Sequence, residues 1–118
     1  MNILKRFVIF ALNNPDAEKT LVQTESVKQV VGSYKGQIET AFVAVVDTDE
    51  KLQHYVDLAR QHGQESILVV DEKRQAELLF LVDGTRLKLG DFRVITALKA
   101  KELDAWTLDK STYYGVIQ

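Results

Sequence analysis

At 118 residues, with 46% hydrophobic and 27% charged side chains, the chain has the size and composition of one ordinary globular domain, spanning residues 1–118. It has no cysteine, which excludes a disulfide framework, thiolate catalysis and Cys-ligated zinc or iron–sulfur centres. Residues 1–71 carry 7 basic and 10 acidic side chains and residues 72–118 carry 8 and 7, too even a spread to attract nucleic acid or an anionic membrane by charge.

The chain opens with an apolar run, Phe7-Val8-Ile9-Phe10-Ala11-Leu12, inside a predicted strand from Asn2 to Leu12. Six residues are too few for a membrane span or an export signal, so a cytoplasmic setting is expected. Asn14 then reads as a helix N-cap with Pro15 at the first helical position, where its missing N–H costs nothing. The stripe Ala17, Leu21, Val27, Val30, Val31, Tyr34 predicts one long helix that weakens between Val22 and Ser26. Two short helices, or a strand at Thr20 to Thr24, are the alternatives. Gly32 to Gly36 ends this element and leads into a strand from Ile38 to Val46.

The segment from Phe42 to Asp71 is the most legible. Two β-branched runs, ending at Val46 and Val70, flank an amphipathic stretch that predicts a β-α-β unit with parallel strands. Asp47 is placed to cap the helix with Glu50 three residues on, Leu52, Tyr55, Val56 and Ala59 form its buried stripe, and Gly63 closes it. Val43, Val45, Ile67, Val69, Leu52, Val56 and Phe80 are expected to share one core. From Ala76 the pattern becomes a meander: a strand at Leu78 to Val82, a hairpin at Asp83-Gly84, and a return from Thr85. Apolar positions are odd at Leu87 and Leu89 but even at Phe92 and Val94, which predicts a β-bulge or a tight turn at Gly90. Thr96 caps a short helix ending at Asp104, and Trp106-Thr107-Leu108 and Tyr113 to Ile117 form a last hairpin. The fold class read from this order is α/β or α+β: β-α-β-α-β followed by an antiparallel meander, a mixed sheet with a single layer of helices packed on it.

Candidate chemistry is sparse. His54 and His62, eight residues apart on one helix, stand too far apart to share a metal ion. Glu39, Gln64 and Glu65 form a polar cluster at the N-terminal ends of two predicted strands, whereas open α/β sheets bind ligands at carboxyl ends. Asn13, Asn14, Asp47, Thr48, Asp49 and Asp71 lie at those carboxyl ends, where carboxylates can hold Mg²⁺, although caps and turns also account for them. No dinucleotide, P-loop or nucleophile-elbow motif is present. Arg86, Lys88 and Arg93, with Tyr113 and Tyr114 nearby, make a basic stripe on what reads as an edge strand, the expected surface for a protein partner.

The run Leu58 to Asp71, with Leu89-Gly90-Asp91-Phe92, Asp104-Ala105-Trp106-Thr107 and Tyr113-Tyr114, resembles small uncharacterised α/β proteins of bacteria and phages. The resemblance implies a compact single domain in a phage or bacterial cytosolic setting and supplies no catalytic residue to carry over. The function expected is therefore that of a small soluble non-enzymatic binding protein, a phage accessory or host-inhibitory factor working through a protein–protein interface as a monomer or homodimer. No cofactor is expected. The alternative is a small-molecule or metal-dependent enzyme using carboxylates at strand ends.

Overall fold

The computed structural model describes Met1 and residues 3–118; the expected start of the first strand at Asn2 lies outside the described residues. Eight strands and three helices follow in the order β1 (Phe7–Phe10), α1 (Pro15–Thr24), β2 (Val27–Tyr34), β3 (Gln37–Val45), α2 (Asp49–Gln61), β4 (Ser66–Val70), β5 (Gln75–Phe80), β6 (Arg86–Ile95), α3 (Ala97–Glu102), β7 (Ala105–Asp109) and β8 (Thr112–Ile117). The strands close into a barrel in the order β1-β3-β2-β7-β8-β6-β5-β4, and every pairing is antiparallel.

This overturns the mixed, open sheet. β3, α2 and β4 do form a strand-helix-strand crossover, and β3 and β4 do run in the same direction. They are not neighbours, because β1 lies between them, antiparallel to both, with Ile9 opposite Val43 on one side and Leu68 on the other. The uninterrupted apolar runs have a different cause from the one inferred. β1 and β3 are covered on both faces because one face lines the barrel and the other receives α1 and α2. Phe7, Ile9, Ala41, Val43, Val70, Phe92 and Tyr114 pack inside. Val8, Phe10, Phe42, Ala44, Ile67 and Val69 pack outward against Leu21, Leu52, Tyr55, Val56 and Ala59. The single core expected is thus two layers, with Val43 in the inner one, Leu52, Val56, Ile67 and Val69 in the outer, and Val45 and Phe80 half-buried.

The long first helix is also corrected. α1 stops at Thr24, and Val27, Val30, Val31 and Tyr34 belong to β2. Spacing of 3, 4 and 7 suits a helix, yet the decisive local signal is the two-residue turn Lys35-Gly36, with φ of +50° and +84°, that folds β2 onto β3. The caps are otherwise where local chemistry puts them. Asn14 accepts from the Ala17 N–H at 3.0 Å and Thr96 from the Lys99 N–H at 3.0 Å. In α2 the cap is Thr48, accepting from the Lys51 N–H at 3.2 Å, while Asp47 pairs with Lys5 and Lys51. The predicted bulge is present: Ala76 faces Gly90 and Glu77 faces Lys88, leaving Leu89 as the extra residue. The Asp83-Gly84 turn joins β5 to β6 with Gly84 at φ +75°.

Candidate functional site

Antiparallel closure brings to one mouth of the barrel the C-terminal ends of β1, β2, β5 and β8 and the N-terminal ends of β3, β4, β6 and β7. There the inner faces open into a cleft of about 530 Å³, the size range of small-molecule sites. Its floor is apolar, made by Ile9, Ala41, Leu68, Phe92, Tyr114 and Val116. Glu39 and Gly32 stand opposite each other on β3 and β2 at the rim. Glu39 is on the same face of β3 as the buried Ala41 and Val43, so its carboxylate is carried on the inner wall. It is half-buried and, among the described residues, makes no hydrogen bond or ion pair. Tyr34, 54% exposed and on the same face of β2 as Gly32, supplies an aromatic face, while Trp106 stands opposite Ser33 on the outer face of β7, braced edge-on by Tyr113 at 5.2 Å. The rim is tied across strands by the Lys35 N–H donating to the Asp104 carbonyl at 2.6 Å.

The charge of this lining is one-sided. Glu39 and Asp104 are carboxylates, and the described lining residues include no Lys, Arg or His. Gln64 and Ser66 add uncharged hydrogen-bonding groups. The cleft can therefore take a cationic or zwitterionic small molecule with an apolar or aromatic part. Hydrogen bonds and charge would orient that molecule, and the apolar floor would exclude water.

Of the polar cluster Glu39, Gln64, Glu65, the first two line this cleft, while Glu65 is exposed outside it, its carbonyl accepting from the Leu81 N–H at 2.9 Å. The carboxyl-end rule for open α/β sheets has no purchase on an antiparallel barrel, since each mouth mixes both kinds of strand end. For the same reason Asn13 and Asn14, after β1, lie at the opposite end from Asp47 and Asp71. Five of the six members of that supposed metal cluster have a structural role: Asn14 and Thr48 cap helices, Asp47 and Asp49 pair with Lys5, Lys51 and Arg6, and Asp71 accepts from the Lys73 and Gln75 N–H groups.

The basic stripe is dispersed. Arg86 pairs with Glu77 and Arg93 with Asp91; Lys88 is exposed. Tyr114 lies within the barrel, stacked on Phe92 at 5.5 Å, and Tyr113 packs on Trp106 outside it. β6 pairs with β5 from Arg86 to Asp91 and with β8 from Asp91 to Ile95, so it is a strand of a closed barrel and not the last strand of an open sheet. Tyr34 and Leu103 escaped sequence reasoning, because only closure of the barrel brings them to one rim; the turn Lys35-Gly36 was the signal that could have placed Tyr34.

A family model described as S-adenosylmethionine lyase family matches residues 11–117, so the chain belongs to that family. No curated protein matches it. The membership overturns the reading of the chain as a non-enzymatic, protein-binding phage factor and favours the enzyme alternative.

Proposed function

We propose, on the premise of this family membership, that the protein cleaves S-adenosylmethionine without consuming water and that the barrel-mouth cleft is where it does so. The observation that carries the reading is the one-sided lining: two carboxylates, an unpaired Glu39 among them, and no cationic side chain among the described lining residues. S-adenosylmethionine brings a sulfonium and an ammonium against one carboxylate, so its transfer into an apolar cleft is favoured by negative charge on the wall. Tyr34 offers a ring face to the adenine or to the sulfonium.

The chemistry explains why no catalytic motif stands out in the sequence. A sulfonium leaves carbon as a neutral thioether and takes the C–S electron pair with it, so no general acid is required. The replacing electrons come from the substrate's own carboxylate closing a ring, or from a C–H bond whose proton passes to a base. In either route the positive charge on sulfur is lost on the way to the transition state, which an apolar, water-excluding site favours. Glu39 holds the cationic part of the substrate and is the base at hand should the second route operate. A cytoplasmic setting, where such a metabolite is free, belongs to the same reading.

The test is to incubate the protein with S-adenosylmethionine in H₂¹⁸O and analyse early products by mass spectrometry. Consumption of substrate with unlabelled products is expected, and Glu39→Gln should lower kcat/KM by roughly 10²-fold. No consumption by the folded protein, or products carrying ¹⁸O, would overturn the proposal.

A further inference from the structure

The barrel has a second cavity at its opposite end, of about 320 Å³, lined by Met1, Arg74, Phe92, Val94 and Tyr114. The stacked rings of Phe92 and Tyr114 line both cavities and separate them. Arg74 belongs to the tight turn between β4 and β5. Its N–H donates to the Asp71 carbonyl at 3.1 Å and its carbonyl accepts from the Phe92 N–H at 2.8 Å. The turn holds Arg74 at φ +65°, a left-handed conformation in which a glycine or asparagine would be the ordinary choice. The side chain then lies over the Phe7 ring, 5.7 Å from its centroid, and its Nη1 is buried with no hydrogen-bond partner among the described residues.

A buried guanidinium N–H without an acceptor is costly, and the backbone of the same residue is strained. The carboxylates of Asp91 on β6 and Asp109 on β7 are engaged elsewhere. Asp91 takes Arg93 and Gln75, and Asp109 takes Lys28 and the Met1 ammonium. The Tyr114 hydroxyl accepts from the Met1 ammonium. The cavity thus presents one uncompensated cation between aromatic and aliphatic walls. We propose that it is a second binding site, separate from the cleft, for a small molecule with a single carboxylate on an apolar body. A carboxylate satisfies the free Nη1 N–H while its apolar body fills the aromatic and aliphatic walls, whereas phosphate has no apolar part to offset the loss of its hydration there.

The experiment uses the full chain, without S-adenosylmethionine, and follows thermal unfolding in benzoate, acetate and phosphate against chloride at equal ionic strength. Benzoate is expected to raise Tm saturably by roughly 5 °C or more, with acetate and phosphate weaker. The Arg74 Nε–Hε resonance should move along the same titration. Arg74→Gly, which suits the turn, should abolish the response, and Arg74→Lys, which keeps the charge but not the planar fork, should weaken it several-fold. The site is overturned if wild type shows no saturable benzoate response, if phosphate binds as tightly as benzoate, or if the response survives in both variants. None of these readouts depends on turnover, so failure here and failure of the lyase reading are distinguishable.

Discussion

Replacing Gly90 with alanine tests whether the barrel is closed as described. Gly90 sits at φ +136°, and a Cβ built on it would lie 2.4 Å from the Ile117 carbonyl oxygen, 2.9 Å from the Ile117 carbonyl carbon and 3.1 Å from Gln118 Cα. The closest approach is about 1 Å short of an ordinary contact. The obstacle is backbone, and β8 cannot swing away cheaply because Asp91 pairs with Ile117 on one side of β6 and with Gln75 on the other. Forcing a side chain into that backbone region costs about 1–3 kcal/mol, and overpacking adds about 1–3 kcal/mol. The sum, roughly 2–6 kcal/mol, is a large part of the stability of a domain this size. Gly36→Ala is the control, since Gly36 is also left-handed, at φ +84°, but a Cβ there meets nothing within 4 Å, so only the backbone cost of about 1 kcal/mol remains. Urea unfolding followed by circular dichroism measures both. Should Gly90→Ala prove no more destabilising than Gly36→Ala, β6 and β8 do not approach as described and the closure argument fails.

Other outcomes follow from the same structure. Burial pushes the Asp109 carboxyl up, but hydrogen bonds from Lys28 and the N-terminal ammonium outweigh it and hold the group below the usual carboxylate value. Its contribution to stability is therefore present above the unfolded pKa of about 3.9 and is lost as pH falls through the folded value, so Asp109→Asn should flatten the acid limb of a stability–pH curve. Burial, reinforced by the hydroxyl's hydrogen bond to Glu25, pushes Tyr55 up to about 12. In a spectrophotometric titration one of the four tyrosines should ionise late, and Tyr55→Phe should remove that step. Leu52→Ala, which cuts the outer-layer contact between α2 and the barrel, should cost about 2–5 kcal/mol in the same urea assay.

What the amino-acid order determined by itself was local. Asn14-Pro15 starts a helix because a side-chain oxygen and a ring without an N–H satisfy its first turn; Gly63 ends α2 because only glycine enters φ +72° without cost. The amphipathic stripe of α2 and the phase change around Leu89-Gly90 were legible for the same reason, since each depends on residues within one or two turns or pairs. That Glu39 and Gln64 belong to the same end of the fold was also visible, as two strand starts flanking a crossover helix, although β1 lies between their strands and the parallel pairing that was to join them is absent. Strand partnership was not. A strand buried between a sheet interior and a helical layer has the same unbroken apolar pattern whether it sits in a parallel sheet or in an antiparallel barrel, so Phe7 to Phe10 and Phe42 to Val45 could not distinguish the two. Closure depends on β7 and β8 bridging β2 and β6, and its β2–β7 contacts join residues such as Tyr34 and Ala105 that lie far apart along the chain, which no periodicity records. That closure alone turned a solvated carboxylate into the inward-facing Glu39, set Tyr34 opposite Ala105 of β7, and left a cleft whose walls carry negative charge and no positive charge among the described lining residues.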